Sequence, residues 1–349
     1  MLTTAVACIG LGAMTMDSAA VTLPSESVLS LADVKDAAAR IAGCAVRTPL
    51  IHNDVLDDAV GAKVFVKAEC LQRTGSFKFR GAYNRIAMIP EGKRASGVVA
   101  CSSGNHAQGL AEAARLFGIP ATIVMPHDAP AVKRARTERS GARVVGYDRA
   151  GEDRDAIAAA IAEETGATFV HPFNDPGVMA GQGTAGLEIA ADLAALGERA
   201  DRVLVPVSGG GLIAGVAVAM AATMPDVVVQ PVEPEGFDDL TRSLEAGERV
   251  ANAQASGSIA DALLAPTPGT NTFAVHRELV RPGIAVSDDL LRPAMAFAAR
   301  ELKVVAEPGG VIALAALLSG LVPVRGETVV VVLSGGNVDD QMLASALMG

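Results

Sequence analysis

The chain has 349 residues, 50% of them hydrophobic, with a formal net charge of -10 and a sequence pI near 5.1. This length suits two domains or one large α/β unit, and the apolar content excludes extensive disorder. The acidic balance argues against nucleic acid and anionic membranes as partners. The four cysteines are scattered without C-x-x-C pairing, which favours reduced thiols in a cytoplasmic protein over disulfides or a zinc site.

The N-terminal segment gives the weakest structural signal. Residues 1–16, MLTTAVACIGLGAMTM, are apolar, but they lack the basic region of a secretory signal and are too short to span a bilayer. We expect a loose tail over residues 1–29, or a true start at Met14 or Met16. Ser30 is a typical N-cap residue, and it predicts a helix within SLADVKDAAARIAG.

The segment LQRTGSFKFRGAYNR, residues 71–85, places Lys78 between two of the few aromatic residues of the chain, Phe77 and Phe79. A lysine against apolar walls loses the hydration of its ammonium group. Its pKa therefore falls, and it becomes a nucleophile suited to Schiff-base formation. The alternative is an ordinary lysine at the edge of an amphipathic strand or helix.

Strands and helices then alternate along the chain. GVVACSSGNHAQGLAEAARLFG predicts a strand, a loop and a helix; PATIVMP, ARVVGY and ATFVHP predict strands; AVKRARTERSG and residues 152–165 predict helices. The pattern resumes with DRVLVPVSGGGLIAGVAVAMAATMP, VVVQPVEP and ETVVVVLSGGNVDD. Short apolar strands separated by amphipathic helices indicate parallel βαβ units and an α/β fold.

Four unusual loops follow the predicted strands: SSGNH, SGGGL, EPEGFDD and SGGN. Ligands of parallel sheets bind beyond the carboxyl ends of the strands, so these loops predict a binding site. In SGGGL, three glycines let backbone N–H groups close on an anion at the start of a helix. The loop lacks the nucleoside triphosphate and dinucleotide patterns, which leaves a monophosphate or an ordinary tight turn.

Taken in order, TGSFKFRGA, SSGNHAQG, SGGGL, AEPGG and SGGN resemble the pyridoxal-phosphate (PLP) enzymes of fold type II. The likeness is to the threonine/serine dehydratase and serine racemase branch, and it runs from about Val46 to Asp339. It implies two domains, each with a mostly parallel sheet flanked by helices, and a site in the cleft between them. We expect a large cofactor-binding domain over residues 30–96 and 175–349 and a small domain over residues 97–174.

The resemblance also implies roles for individual residues. Those implied to bind the cofactor are Phe77, Lys78, Asn105, Gly209, Gly210, Gly211, Leu212, Glu307 and Ser334. Those implied to bind the substrate carboxylate are Ser102, Asn105 and His106. Catalytic roles are implied for Lys78, the Schiff-base lysine, and for Ser103. The serine at this position protonates the opposite face of the substrate in racemases, and dehydratases often share it.

Ser334 matches the residue that faces the pyridine nitrogen of the cofactor. A hydroxyl there, rather than a carboxylate, leaves the nitrogen largely unprotonated. Charge is then less delocalised into the ring, which favours loss of a β-substituent over transamination. The resemblance and this chemistry both predict β-elimination.

The loop VEPEGFDDL resembles a divalent-cation site of several relatives. There Glu233 and Asp239 would supply carboxylates and Phe237 a backbone carbonyl. Such oxygen ligands suit Mg²⁺ or Ca²⁺. The alternative is a solvated acidic turn.

These features predict a cytoplasmic, PLP-dependent ammonia-lyase that converts threonine or serine to a 2-oxo acid and ammonia. The alternatives are a serine racemase, or a lyase for 3-hydroxyaspartate or another hydroxylated amino acid. Arg154 lies where relatives place an arginine that can approach an anionic substrate. The alternative is an ordinary arginine on the face of a helix. The retention of Lys78, Asn105 and Ser334 argues against a non-catalytic cofactor-binding protein. The absence of the dinucleotide-binding glycine pattern argues against an NAD-dependent dehydrogenase.

The resemblance further implies a homodimer, the usual assembly of such enzymes. The sequence ends about a dozen residues after SGGN. We therefore expect neither the regulatory C-terminal domain of biosynthetic threonine dehydratases nor feedback by isoleucine.

Overall fold

The computed structural model describes residues 27–102, 104–129, 131–148 and 151–349. The strands are β1 (Leu50–His52), β2 (Lys63–Lys67), β3 (Val98–Cys101), β4 (Ala121–Pro126), β5 (Arg143–Tyr147), β6 (Thr168–Phe169), β7 (Arg202–Pro206), β8 (Val228–Pro234), β9 (Ile284–Val286) and β10 (Thr328–Val332). The first seven helices are α1 (Leu31–Ile41), α2 (Asp54–Val60), α3 (Lys78–Ala87), α4 (Glu91–Arg94), α5 (Asn105–Phe117), α6 (Ala131–Arg139) and α7 (Arg154–Thr165). The others are α8 (Pro176–Leu196), α9 (Gly211–Thr223), α10 (Asp239–Ala246), α11 (Thr270–Leu279), α12 (Leu291–Arg300), α13 (Pro308–Leu318) and α14 (Asp340–Met348).

Two sheets organise these elements. The larger sheet has the strand order β1-β2-β10-β7-β8-β9, and the smaller sheet has the order β5-β4-β3-β6. Only β1 runs antiparallel to its neighbour; every other adjacent pair in the described residues is parallel. Most central strands are buried along their length, as expected when helices cover both faces of a parallel sheet. The predicted α/β fold with two mostly parallel sheets is confirmed.

The ends of the predicted elements follow local chemistry. Ser30 caps α1 as predicted: its hydroxyl accepts from the Asp33 amide, and the Asp33 carboxylate accepts from the Ser30 amide at 2.9 Å. The strand predicted in ATFVHP is shorter, because only Thr168 and Phe169 keep strand geometry. Beyond it the chain turns at His171, whose Nδ1 accepts from the Asn174 amide at 2.9 Å.

Helix α8 contacts both α3 and α9 through glycines. A Cβ atom added at Gly181 of α8 would lie 2.6 Å from the Arg80 carbonyl oxygen of α3. One added at Gly215 of α9 would lie 2.4 Å from the Met179 carbonyl oxygen. The three helices therefore touch backbone to backbone. This contact fixes the start of α3 relative to the loop that precedes α9.

A buried ion cluster ties the first turn of α3 to its surroundings. Arg80 is fully buried and donates to Glu69 at 2.7 and 2.8 Å and to Glu188 at 2.7 and 2.8 Å. Lys67, also fully buried, donates to Glu188 at 2.6 Å. Burial alone would raise the pKa of Glu69, but the charge and hydrogen bonds of Arg80 hold that pKa below its usual value. Removing one member of such a cluster leaves an unpaired buried charge and typically costs about 3–5 kcal/mol.

The strands of the smaller sheet lie between residues 98 and 169, and those of the larger sheet lie on either side in sequence. The domain boundaries given above remain a prediction. Residues 1–26, most of the predicted tail, lie outside the described residues. Within the part of the chain that is described, no helix combines the length and apolar character needed to cross a membrane.

The helix contact at Gly215 generates a stability prediction. The change Gly215→Ala puts a methyl group against the backbone of α8, so we expect it to lower the free energy of unfolding by about 1–3 kcal/mol. Gly92→Ala is the matched control, since Gly92 lies on exposed helix α4 with open space around it. Urea denaturation measures both changes. An unfolding midpoint for Gly215→Ala equal to that of Gly92→Ala would contradict the close contact.

Candidate active site

A cavity of about 200 Å³ lies beyond the carboxyl ends of the strands, lined by loops from both sheets. Among its lining residues are Phe77, Lys78, Ser102, Asn105, His106, Gly209, Gly210, Gly211, Leu212, Glu307 and Ser334. The structure thus brings together all the predicted cofactor and substrate residues that it describes. Ser103 lies outside the described residues, and the predicted metal loop does not line the cavity.

Lys78 is the first residue of α3, and its amine lies inside the cavity. The amine donates to the carbonyl oxygen of Pro172 at 2.8 Å and lies 5.2 Å from the centre of the Phe77 ring. Burial lowers its pKa from the usual value for lysine to about 8. A large share of this amine is therefore neutral near pH 8, where it can act as a nucleophile or a base.

The two phenylalanines beside Lys78 pack into different cores. Phe77 packs against the core between the larger sheet and α9, which includes Val205 and Leu212. Phe79 is fully buried in the core of the smaller sheet and α5. Lys78 is therefore held from both sides at the junction of the two sheets. This accounts for the aromatic flanks seen in the sequence.

The chain before Lys78 is fixed to the loop that follows β10. The Phe77 amide donates to the Ser334 carbonyl at 3.2 Å, and the Gly336 amide donates to the Gly75 carbonyl at 2.9 Å. Gly75 has a φ of 73°, and Thr74 has a φ of 63°, a rare conformation for a β-branched residue. These hydrogen bonds set the position of Lys78 relative to Ser334.

The glycine loop between β7 and α9 forms one wall of the cavity. Gly210 is the N-cap of α9 with a φ of 89°, and no described side chain caps the first amides of this helix. A Cβ atom at Gly209 would lie 2.4 Å from the Phe173 ring, so only glycine fits. Free amides at a helix N-terminus, backed by the helix dipole, form a site for an anion such as a phosphate.

Asn105 begins α5 and joins the two sides of the cavity. Its Nδ2 donates to Glu307 at 2.5 Å, and its Oδ1 accepts from Nδ2 of Asn337 at 2.8 Å. Burial raises the pKa of Glu307 to about 7, although the hydrogen bond from Asn105 opposes the shift. Glu307 can therefore carry a proton near neutral pH and serve as a donor or an acceptor.

His106 and Ser334 complete the polar lining. Nε2 of His106 lies 3.1 Å from the Val170 carbonyl oxygen, which can only accept, so this nitrogen carries the proton. Burial, together with the charge of Lys78, lowers the pKa of His106 to about 3, so the ring is neutral at physiological pH. The backbone of Ser334 is held by a 3.2 Å bond from its amide to the Gly310 carbonyl. The side chain of Ser334 is an uncharged hydroxyl, whereas a carboxylate at this position would add a negative charge to the cavity.

Several lining residues were not singled out from the sequence: Lys133, Pro172, Phe173 and the segment Asp261–Ala265. Pro172 acts through its carbonyl, which every residue possesses, and Lys133 forms an ion pair with Asp261, which also lines the cavity. The stretch HPFND after β6 was the available signal, because it also follows the carboxyl end of a strand. Arg154, noted in the sequence, also lines the cavity.

The predicted metal loop lies between β8 and α10. Glu233 is fully buried and accepts from the Leu240 and Thr241 amides at 2.9 Å, so it caps α10. Oδ1 of Asp239 accepts from Asn252 at 2.7 Å, while its buried Oδ2 has no hydrogen-bond partner within the described residues. Burial raises the pKa of Glu233 to about 8 and that of Asp239 to about 7; the charge of Asp239 adds to the first shift. The unpartnered oxygen fits a divalent cation.

The lining fits PLP. The anion cradle and the Lys78 amine lie in one cavity, and Asn105, Glu307 and Ser334 supply polar contacts for ring substituents. A bulkier residue at Gly335 would collide with Glu307, since a Cβ atom there would lie 2.1 Å from Oε1. The Glu307 carboxylate is therefore held in close contact with the backbone of Gly335.

Comparison with known proteins gives the same assignment. A family model described as "Pyridoxal-phosphate dependent enzyme" matches residues 41–335. The chain is 45% identical over 317 residues to an L-threo-3-hydroxyaspartate ammonia-lyase of a Pseudomonas species, covering 91% of this chain and 98% of that one. It is 44% identical over 316 residues to an L-threonine ammonia-lyase of Thermotoga maritima, covering 90% and 77%.

A solved structure of maize serine racemase is similar to this fold, with a TM-score of 0.86 and 38% identity over 92% of this chain and 97% of that one. The resemblance predicted from the motifs is thus confirmed, as is PLP as the cofactor of the family. The chain belongs to the pyridoxal-phosphate dependent enzymes, in the fold type II branch of threonine/serine ammonia-lyases and serine racemases.

Proposed function

We propose that this protein is an ammonia-lyase that removes the β-hydroxyl group of a hydroxy amino acid, L-threonine or L-serine first, to give a 2-oxo acid and ammonia. The observation that carries the proposal is the pairing of a desolvated Lys78 with a hydroxyl, Ser334, in one cavity. When bound, PLP supplies the electron sink for charge at the substrate α-carbon. Lys78, Asn105, the glycine loop, Glu307 and Ser334 are the residues we propose to hold it.

Lys78 is suited to take the α-proton. With a pKa of about 8, its amine is available as a base near neutral pH and can return the proton in a later step. The Pro172 carbonyl, 2.8 Å away, orients the amine by accepting one of its hydrogens. Phe77 and the surrounding core limit the contact of the nitrogen with water, which lowers its pKa.

The start of α5 is suited to the substrate carboxylate. Ser102 and the amides that open the helix line the cavity beside Lys78, and a helix N-terminus favours an anion. His106 is neutral, so it contributes no positive charge and acts as a hydrogen-bonding wall. This arrangement would direct the α-carbon toward the Lys78 amine.

A second candidate substrate, L-threo-3-hydroxyaspartate, is favoured by two cations. Lys133 and Arg154 line the cavity in addition to the α5 amides, and Lys133 already pairs with a carboxylate, that of Asp261. A dicarboxylic substrate would offer them a second carboxylate. The 45% identity to a protein named for this substrate supports the candidate.

One substrate panel tests the proposal. The purified, PLP-loaded protein is given L-threonine, L-serine and both diastereomers of 3-hydroxyaspartate, and oxo acid, ammonia and amino-acid chirality are measured together. We expect oxo acid and ammonia in equal amounts, well above any inverted amino acid, because charge at the α-carbon expels the β-hydroxyl, which takes up a proton and leaves as water. Predominant inversion would make the protein a racemase and overturn the lyase proposal.

The same panel with variants decides the substrate class. Arg154→Gln should lower kcat/KM for L-threo-3-hydroxyaspartate about tenfold more than for threonine, the loss expected from one charged contact. Lys133→Gln tests the second cation, and Arg139→Gln, an exposed change on the same helix as Lys133, is the control. Equal losses on both substrates would remove the second candidate and leave threonine or serine.

We also propose that Glu233, Asp239 and the Phe237 carbonyl hold Mg²⁺ or Ca²⁺. The two buried carboxylates repel each other, and their raised pKa values mean that the folded chain keeps protons that the unfolded chain releases. Without an ion, their contribution to stability is therefore lost as pH rises from about 4 through 7 to 8. A cation would bind the ionised form and offset this loss.

The expected result is a metal-dependent melting temperature. Millimolar MgCl₂ or CaCl₂ should raise the thermal midpoint of chelator-treated protein more at pH 8 than at pH 6, since the carboxylates are ionised at the higher pH. Asp239→Asn keeps the shape of the side chain but removes its charge, and it should abolish the increase. Superimposable melting curves with and without metal at pH 8 would exclude the site.

A further inference from the structure

Helix α11 lies behind the glycine loop and contributes no side chain to the cavity lining. Two of its residues, Thr272 and His276, are fully buried and stand one helical turn apart. That spacing puts both side chains on one face of the helix. Both face the loop: Thr272 contacts Gly209, and a Cβ atom at Gly210 would lie 2.1 Å from the His276 ring.

Both side chains hydrogen-bond to loop carbonyls. The Thr272 hydroxyl lies 2.8 Å from the Gly209 carbonyl oxygen, its shorter contact, and 3.1 Å from the Gly269 carbonyl oxygen. Nε2 of His276 lies 2.9 Å from the Gly210 carbonyl oxygen. Because that oxygen can only accept, Nε2 of His276 carries a proton. Burial lowers the pKa of His276 to about 4, so the ring is neutral at physiological pH. Nδ1 of the ring is buried and has no hydrogen-bond partner in the described residues, so the bond from Nε2 is the one hydrogen bond that the imidazole makes there.

These bonds help to set where the loop amides point, together with a backbone bond from the Gly269 amide to the Gly209 carbonyl at 3.3 Å. In a planar trans peptide the carbonyl and the next N–H point in opposite directions. Holding the carbonyls of Gly209 and Gly210 toward α11 therefore turns the amides of Gly210 and Gly211 away from it. These glycines line the cavity on their other side. The same Gly210 carbonyl also accepts the first backbone bond of α9, from Ala214 at 3.0 Å, so the loop and the helix start are fixed together.

We propose that Thr272 and His276 are positioning residues that orient the anion-binding amides of the glycine loop. The inference rests on the proposed role of that loop as the cradle for the cofactor phosphate. It adds two residues that touch neither the phosphate nor the substrate. Their effect is specific to a phosphorylated ligand, because they act on the amides and not on Lys78 or the ring contacts.

The test compares affinity for PLP with affinity for pyridoxal, which lacks the phosphate. Both ligands are titrated by absorbance and equilibrium dialysis with the full chain. His276→Leu keeps most of the side-chain volume but removes the donor, and we expect it to weaken PLP binding about tenfold with less than about a twofold change for pyridoxal. His276→Gln places a donor where Nε2 lies and should restore PLP affinity to within about threefold of the original chain.

Two further variants keep the test decisive. Thr272→Val is isosteric, removes the second donor, and should reproduce the PLP-specific loss if His276→Leu fails to fold. His52→Gln, at the exposed last residue of β1, is the control and should change neither affinity. If the folded variants lost affinity for PLP and pyridoxal equally, or kept their affinity for PLP, the inference would be overturned. Equal affinity of the original chain for both ligands would instead overturn the proposed phosphate role of the loop.

Discussion

Burial of the Lys78 amine between two cores is the constraint on which the rest of the site depends. With a pKa of about 8, about a quarter of the amine is neutral at pH 7.5, whereas a solvated lysine with a pKa near 10.4 would be about 0.1% neutral. Phe77 belongs to the packing of the larger sheet and Phe79 to that of the smaller one. The lowered pKa of the amine therefore depends on both sheets keeping their present positions.

The position of Lys78 is maintained by ion pairs as well as by apolar packing. Arg80, two residues after Lys78, is neutralised by Glu69 and Glu188. Glu188 also pairs with Lys67 of β2. Burying four charged groups gains little stability compared with apolar residues, but their directional bonds define the orientation of α3. The glycine contacts of α8 add a second fixed distance, from α3 to the glycine loop. Lys78 and the proposed phosphate cradle thus share one rigid support.

The sequence predicted most of this arrangement because its signals were local. Apolar strands, amphipathic helices and strand-end loops identified the α/β fold, and the motifs around Lys78, Asn105 and the glycines located the cavity. What was missed depends on how distant segments meet. The antiparallel strand β1 has only three residues, too few for a periodic pattern. The Pro172 carbonyl acts through the backbone, and His276 occupies an ordinary amphipathic helix.

Covalent attachment of the cofactor at Lys78 is the most direct test of the role proposed for this lysine. The PLP-loaded protein is reduced with borohydride, digested and mapped by mass spectrometry, with the lysines of the chain compared for a pyridoxyl group. We expect modification of Lys78 at near-unit occupancy, because it is the desolvated, partly neutral lysine in the cavity. Modification chiefly at Lys133, which also lines the cavity, or at any other lysine would contradict that role.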